Sequence, residues 1–470
     1  MENKLQRNID WKQGLSIALG VPLLIMPSIV YFTSYMYAFS ILVWAISVGQ
    51  GFFQNLAYAE MAVDFPDASG LPGYSQKILK SGGNRYSDFI GGFSAWSYWF
   101  AWSPILAIFT LSIKDFAVSV MPVLGNYPDK LVTLIIGTLI FFGMHMFNRK
   151  GLESGAVVGY ILNIVSLLPL IVLAVAPFAL GRVDMANITN NWMPADFTLD
   201  VKNILVIFGI FGMAQWSACA WETAAVYGPE YKDPKRDVVK ALFSCGAICM
   251  VIFVLVQTVC IGLLGVDGVI NSTEPPILTI AKMTFGSTGG IMSSIMLVAA
   301  MLMIIQTGFL GASRAMHSMA STNSLPKIFS RTNEYGVPVN AMISIIILNY
   351  GLIMLKSPSA ILAASSLGYA LANGISLYSY VKYKREKNNK STKSGKENTK
   401  GLRVPRLWDK VIIAFAFVNI PLFLVGLVYL NSLDSGWSST IVGVGVLALY
   451  VPLYKYSEKE KNMTNLTKTG

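Results

Sequence analysis

The sequence predicts an all-α integral membrane protein of about twelve transmembrane helices, and three observations carry that prediction. The first is composition: of 470 residues, 54% are hydrophobic and only 13% are charged, whereas soluble domains carry about a quarter charged residues. The second is the recurrence of apolar runs, each near the ~20 residues needed to cross a hydrocarbon core as a helix. Only helices or closed barrels satisfy the backbone in lipid, and the alternating pattern of barrel strands is absent. The third is the placement of basic residues between the runs.

In order, the candidate spans are 14–36, 39–62, 89–112, 131–147, 155–178, 203–227, 240–265, 290–313, 339–355, 359–381, 410–430 and 438–455. Span one reads "LSIALGVPLLIMPSIVYFTSYMY" and holds Pro22 and Pro27. A proline removes a backbone donor and clashes with the preceding turn, so this helix is expected to break near 20–28. Span three holds "SYWFAW" (97–102), and span five has no basic residue between 155 and 178. Span six carries Gly209 and Gly212, small residues at 217–220, and then Glu222, with no Lys or Arg from 213 to 231. Cys219, Cys245, Cys249 and Cys260 fall in spans six and seven. They lack the spacing of a metal site or disulfide framework and read as small packing residues. The longest polar stretches, 63–88, 179–202 and 382–409, are too short to bury a core of their own. The chain therefore divides into an N-terminus (1–13), five helices (14–178), five more (203–381), a basic loop (382–409), two last helices (410–455) and a tail (456–470).

Thirty of the 36 Lys and Arg fall in 1–13, 63–88, 148–154, 228–240, 314–338, 382–410 and 455–470. The other six, Lys114, Lys130, Arg182, Lys202, Lys282 and Lys356, fall in the alternate segments. By the positive-inside rule this asymmetry predicts a multi-pass cell-membrane protein with both termini cytoplasmic. The net charge of +11 is then topological and does not signal nucleic acid. The largest basic cluster, "KYKREKNNKSTKSGKENTK" (382–400), has no aromatic platform beyond Tyr383; it reads as a solvated inner loop or as a contact for anionic lipid of the bilayer. The first residues mix both charges and lead into a helix longer than a signal-peptide core, so no cleavage is expected.

Spans one and six hold corresponding places in the two five-helix groups. Paired interrupted helices in matching positions point to a transporter built from inverted repeats, with its substrate at mid-membrane; two kinks that merely pack are the alternative. Broken backbone survives in a membrane only where protein buries it or a wet cavity meets it. Glu222 fits this arrangement, because a carboxylate at mid-depth normally faces a cavity. It either exchanges a proton there or accepts bonds from free amides of the broken helix, and the two roles are compatible.

The stretch "WSACAWETAAVYGPEYKDPKR" (216–236) resembles the sixth-helix segment of the amino acid–polyamine–organocation superfamily, with Trp216, Glu222 and "DPKR" (233–236) at the spacing of its arginine/agmatine antiporters. "YAEMAVDFPDASGLPGY" (58–74) and "SRAMHSMASTNSLPKIFSRTNEYGVPVNA" (313–341) are similar to two further family blocks. The resemblance implies a leucine-transporter-like 5+5 inverted repeat with helices one and six broken. It aligns Ser28 with a serine whose neighbourhood, here including the Ile29 amide, grips the substrate carboxylate. Pro27 and Ile29 stand where the family has glycines, and an alternative register uses Gly20 and Val21. Tyr98 aligns with a gating tyrosine, so Ser28, Tyr98 and Glu222 would form a gate beneath the substrate. Trp216 aligns with a tryptophan that stacks on the substrate and closes over it. The ammonium would meet carbonyls around 217–220, at Ala218 and Cys219, with Trp221 nearby. Where some relatives carry a lysine in helix five, Ser166 stands here.

The implied activity is membrane transport of amino acids by alternating access, as exchange of an amino acid for a related amine or amino acid. Proton-coupled uptake through Glu222 and a sensor without flux are the alternatives. Aromatic rings, one acid and no base favour a neutral or cationic substrate. Neither a cofactor nor a metal is expected, and a homodimer is one possible assembly. A membrane enzyme would need a constellation that the remote His145 and His317 do not make. A channel would need a ring of like charges or a repeated filter, and neither occurs.

Overall fold

Without water to compete, long apolar segments close their own backbone hydrogen bonds and become helices. The computed structural model describes residues 5–80, 84–354, 358–394 and 402–469. Among these it has eighteen α-helices: α1 (Trp11–Ala18), α2 (Ile29–Met36), α3 (Phe39–Asp64), α4 (Gly70–Lys80), α5 (Arg85–Trp102), α6 (Ile105–Val120), α7 (Asp129–Asn148), α8 (Leu152–Ala179), α9 (Ala186–Thr189), α10 (Val201–Ala218), α11 (Pro234–Ile270), α12 (Pro276–Ser321), α13 (Val339–Ile353), α14 (Pro358–Ser394), α15 (Arg406–Ala414), α16 (Ile420–Ser435), α17 (Ser438–Ala448) and α18 (Tyr450–Thr469). Ten stretches are long and apolar enough to cross a membrane, and α13 is a shorter apolar helix. The remaining span is α3, 26 residues long, whose Gln50, Gln54, Asn55 and Glu60 lower its hydropathy. Every span read from the sequence therefore has helix beneath it, and the chain is a multi-pass membrane protein. Large apolar side chains on α7, α8 and α17, among them Leu139, Phe142, Ile164 and Ile441, are exposed and form the lipid face. The core lies on α3, α5, α10 and α12, with Trp44, Trp102 and Trp221 fully buried.

Two spans are interrupted by a 3₁₀ helix. After α1 the chain runs as a 3₁₀ helix over Val21–Ser28 before α2, and after α10 it runs as a 3₁₀ helix over Ala220–Glu230. The interruptions fall in spans one and six, as the prolines and small residues predict. Val21–Ser28 packs on α10 while Ala220–Glu230 packs on α1, so the two spans lie side by side and antiparallel.

Connecting segments gather at two ends. At one end Ile9 and Tyr231 form a parallel bridge, Arg7 pairs with Asp67 at 2.5 Å, and Lys80 Nζ donates to Thr322 O at 3.3 Å. Asn333 Nδ2 donates to the Arg149 carbonyl at 2.8 Å there, and Arg85 grips both oxygens of Glu458. All of these come from the basic-rich segments. At the other end the Ala38 and Phe39 N–H groups donate to the Asn191 and Trp192 carbonyls at 3.1 and 2.9 Å. The spatial partition thus matches the charge partition. Residues 395–401 of the basic loop and Lys356 lie outside the described residues. The start of that loop, expected at 382, is instead the continuation of α14 to Ser394. Lys384 and Lys387 hold it to Glu60 and Asp64 of α3 at 2.8 and 2.6 Å.

Candidate functional site

Ending a helix strands its last carbonyls, and at the end of α1 three other helices supply the donors. Asn163 Nδ2 of α8 donates to the Ser16 carbonyl at 2.8 Å. Thr307 Oγ1 of α12 donates to Ile17 O at 2.6 Å, and Cys245 Sγ of α11 to Ala18 O at 3.6 Å. Gly20 allows this approach: a Cβ there would lie 2.2 Å from Thr307 Oγ1 and 2.9 Å from the Met303 carbonyl. Gly20 and Val21 therefore stand at the start of the interruption, and Ser28 and Ile29 at its end. Ser28 Oγ turns back to the Leu24 carbonyl at 3.5 Å. Its neighbours Met26 and Pro27 line a separate cavity of about 360 Å³ with Phe109, Asp115 and Thr273. Among the described residues no hydrogen bond joins Ser28 to Tyr98 or Glu222.

The second interruption begins at Cys219, which sits between helices rather than within one. Its thiol donates to the Ser47 carbonyl of α3 at 3.1 Å. Trp216 reaches across to α5, its Nε1 3.4 Å from the Ala101 carbonyl. Trp221 turns the other way, between Phe52 and Phe243, and its Nε1 occupies the Ala218 carbonyl at 3.0 Å. Glu222 is only 1% exposed. Its Oε2 accepts from Tyr369 Oη of α14 at 2.9 Å, while Oε1 has no partner. Tyr98 of α5 lies beside the same carboxylate. Of the expected residues, the structure thus brings together Tyr98 and Glu222, with Trp216 and Cys219 at the edge of the same interruption. Ser166 Oγ is spent on its own helix, 2.7 Å from Leu162 O.

Glu222 Oε1, Tyr98 Oη, Thr223 Oγ1 and Tyr227 Oη, neighbours along one path, are buried without hydrogen-bond partners. Each such group costs roughly 1–3 kcal/mol, so a cluster of them marks a place where something polar is met. A carboxylate with one oxygen open and aromatic rings suit a cationic group. Three participants escaped the sequence reading: Asn163 and Thr307, which cap α1, and Tyr369, which holds Glu222. A signal for Tyr369 was present. Tyr369, Asn373, Ser376 and Tyr380 recur at helical spacing and form a polar stripe in an apolar span.

With that geometry in hand, comparison with known proteins is informative. A family model described as amino acid permease matches residues 9–449. An uncharacterized transporter of Legionella pneumophila is 26% identical over 331 residues, covering 65% of this chain and 65% of that protein. An arginine/ornithine antiporter of Lactococcus lactis is 23% identical over 61% of this chain and 60% of its own length. Another of that name from Latilactobacillus sakei is 23% identical, over 64% and 62%. The matches thus span less than two thirds of each of these relatives.

Proposed function

The chain belongs to the amino acid permease family, and on that premise we propose that it carries amino acids across the cell membrane by alternating access, exchanging an amino acid for a related amine or amino acid. Residues 14–178 and 203–381 form two inverted five-helix repeats, and both termini are cytoplasmic. The substrate lies where the two broken spans meet. Its α-carboxylate meets the backbone at Gly20 and Val21, its ammonium meets the carbonyls around 217–220, and Trp216 closes over it. Tyr98, Glu222 and Tyr369 form the gate beneath.

One observation carries this reading: two spans that pack together are each interrupted by 3₁₀ helix, and the second interruption holds a carboxylate that is buried and half-satisfied. Irregular backbone at membrane depth has a use where it lines a cavity. With one acid and no base at the site, cationic and neutral amino acids are preferred over glutamate and aspartate. Arginine and ornithine are the first to try, since two relatives bear those names.

The test is counterflow in proteoliposomes with labelled L-arginine and L-ornithine, followed by the other amino acids, with and without internal substrate. Uptake that requires internal amino acid supports exchange. Uptake into empty vesicles driven by an imposed proton gradient would replace exchange by proton-coupled symport. Absence of flux with every amino acid would leave a sensor.

A further inference from the structure

A polar trail leaves the central carboxylate along the 3₁₀ helix Ala220–Glu230 and ends at a buried ion pair. From Glu222 to Glu230 is about 16 Å at the 3₁₀ rise of ~2 Å per residue, and three residues per turn stack Tyr227 over Glu230. Thr223 Oγ1 and Tyr227 Oη are buried without hydrogen-bond partners. Thr223 lies beside Tyr98, and Tyr227 lies beside Thr223 and within electrostatic reach of both Arg314 and Glu230. The 3₁₀ helix packs on α12, where Gly311 faces it. A Cβ on Gly311 would come within 3.2 Å of Thr223 Oγ1.

At the foot of the trail the Arg314 side chain is 0% exposed and that of Glu230 is 5% exposed. Arg314 Nε donates to Glu230 Oε1 at 2.9 Å and Nη2 to Oε2 at 3.3 Å, while Nη1 donates to Ser313 Oγ at 3.2 Å. Folding alone is a weak reason for such a pair, because apolar side chains of similar volume often serve stability as well or better. An amino-acid zwitterion, however, carries the same two charges. It can exchange partners with the pair without stranding either charge in a dry interior.

We propose that the Arg314–Glu230 pair is a second, transient binding station for the zwitterion between the central site and the cytoplasm. The substrate carboxylate takes Arg314, its ammonium takes Glu230, and Thr223 and Tyr227 supply hydrogen bonds along the way. This rests on the transport reading above.

The test uses the reconstituted full-length protein and two probes, L-ornithine and putrescine, which is ornithine without its carboxylate; any other amino acid that the parent carries is paired with its own decarboxylated amine in the same way. The double variant Arg314→Met/Glu230→Met removes both charges together and leaves neither unpaired. Ornithine counterflow is expected to fall about tenfold or more, the worth of one charge-assisted hydrogen bond. Putrescine, which offers an ammonium to Glu230 but no carboxylate to Arg314, is expected to slow about threefold less than ornithine or better, and equilibrium ornithine binding, read by tryptophan fluorescence, is expected to stay within about twofold. The charge-swapped variant Arg314→Glu/Glu230→Arg is expected to recover ornithine flux above the apolar pair. Equal slowing of both probes would reduce the pair to a structural latch, and flux at the parent rate would remove it from the route. If the double variant does not fold, equal slowing of the two probes by the swapped pair gives the same refutation. Failure of the central-site reading appears separately, as ornithine binding to the parent that Trp216→Ala leaves unchanged.

Discussion

Replacing Tyr369 by phenylalanine keeps the ring in place and removes the hydroxyl that donates to Glu222 Oε2 at 2.9 Å. The other carboxylate oxygen has no hydrogen-bond partner, and the Tyr98 hydroxyl beside the carboxylate is unbonded too, so the bond from Tyr369 is the one that holds Glu222. A hydrogen bond to a charged group is worth about 1.5–3 kcal/mol, and each 1.4 kcal/mol is about a decade. If the bond is made at the gate and exchanged during transport, the maximal rate of counterflow in Tyr369→Phe is expected to fall about 10- to 100-fold. The assay pairs that rate with the melting temperature in detergent, so that a folding defect is seen as such. Tyr350→Phe is the control: its hydroxyl contacts Thr138 Oγ1 at 3.0 Å in an exposed position, and exchange is expected to remain within about twofold of the parent. A double-mutant cycle with Glu222→Gln should be non-additive by about 0.5–3 kcal/mol if the two side chains act as one unit. Parent-like exchange by Tyr369→Phe, or strict additivity in the cycle, would refute the gate.

Further tests address the scaffold around the site. Gly20→Ala places a Cβ 2.2 Å from Thr307 Oγ1 and 2.9 Å from a backbone carbonyl, and about 1–3 kcal/mol of stability should be lost to overpacking. Gly49→Ala, with nothing within 4 Å, should leave the melting temperature unchanged or raise it slightly; a Gly20 variant as stable as this one would show that the packing there is loose. Glu60 is fully buried and accepts from Lys384 Nζ at 2.8 Å and the Val404 N–H at 3.1 Å. Glu60→Ala leaves those donors without their acceptor and is expected to lower stability by about 3 kcal/mol, read by thermal denaturation. With Cys245→Ser, Cys249→Ala and Cys260→Ala in place, methanethiosulfonate labelling of Cys219 should be slowed by saturating substrate. Labelling insensitive to substrate would remove Cys219 from the cavity.

The spans were legible because bilayer thickness sets the length of an apolar run, whatever surrounds it. The break in span one was legible because Pro22 announces it locally, and the two ends of the molecule were legible because basic residues mark one of them. The register within the break was not. Alignment favoured Ser28, yet α1 ends where Asn163, Thr307 and Cys245 bring donors to its carbonyls, and those residues come from three other helices. Trp221 is a similar case. Its position beside Glu222 suggested the pocket, but the turn of the 3₁₀ helix sends its ring toward Phe52 and Phe243. Tyr369 lay 147 residues from its partner, and only its recurrence with Asn373, Ser376 and Tyr380 hinted at a polar face.

That face bears on where the protein bends. Tyr58 Oη of α3 donates to Asn373 Oδ1 at 2.6 Å, Tyr380 Oη lies 3.0 Å from Glu60 Oε2 and 2.9 Å from Asp409 Oδ1, and Lys384 and Lys387 continue the seam to Glu60 and Asp64. α14 is thus fastened to α3 at several points along its length, by ion pairs as well as hydroxyls. The sixth span is held to these two helices more lightly, by Tyr369 on Glu222 and by the Cys219 thiol on Ser47 O. A motion that opens the site separates the weaker attachment first. The segment that would have to give is Ala220–Glu230, 11 residues of 3₁₀ helix, whose hydrogen bonds are poorer than those of an α-helix and rarely sustained for more than three or four residues. Substituting the helix-favouring alanine for Pro229, the proline inside that segment, should stiffen it and slow exchange more than it weakens substrate binding. A fall in affinity at unchanged maximal rate would place the bending elsewhere.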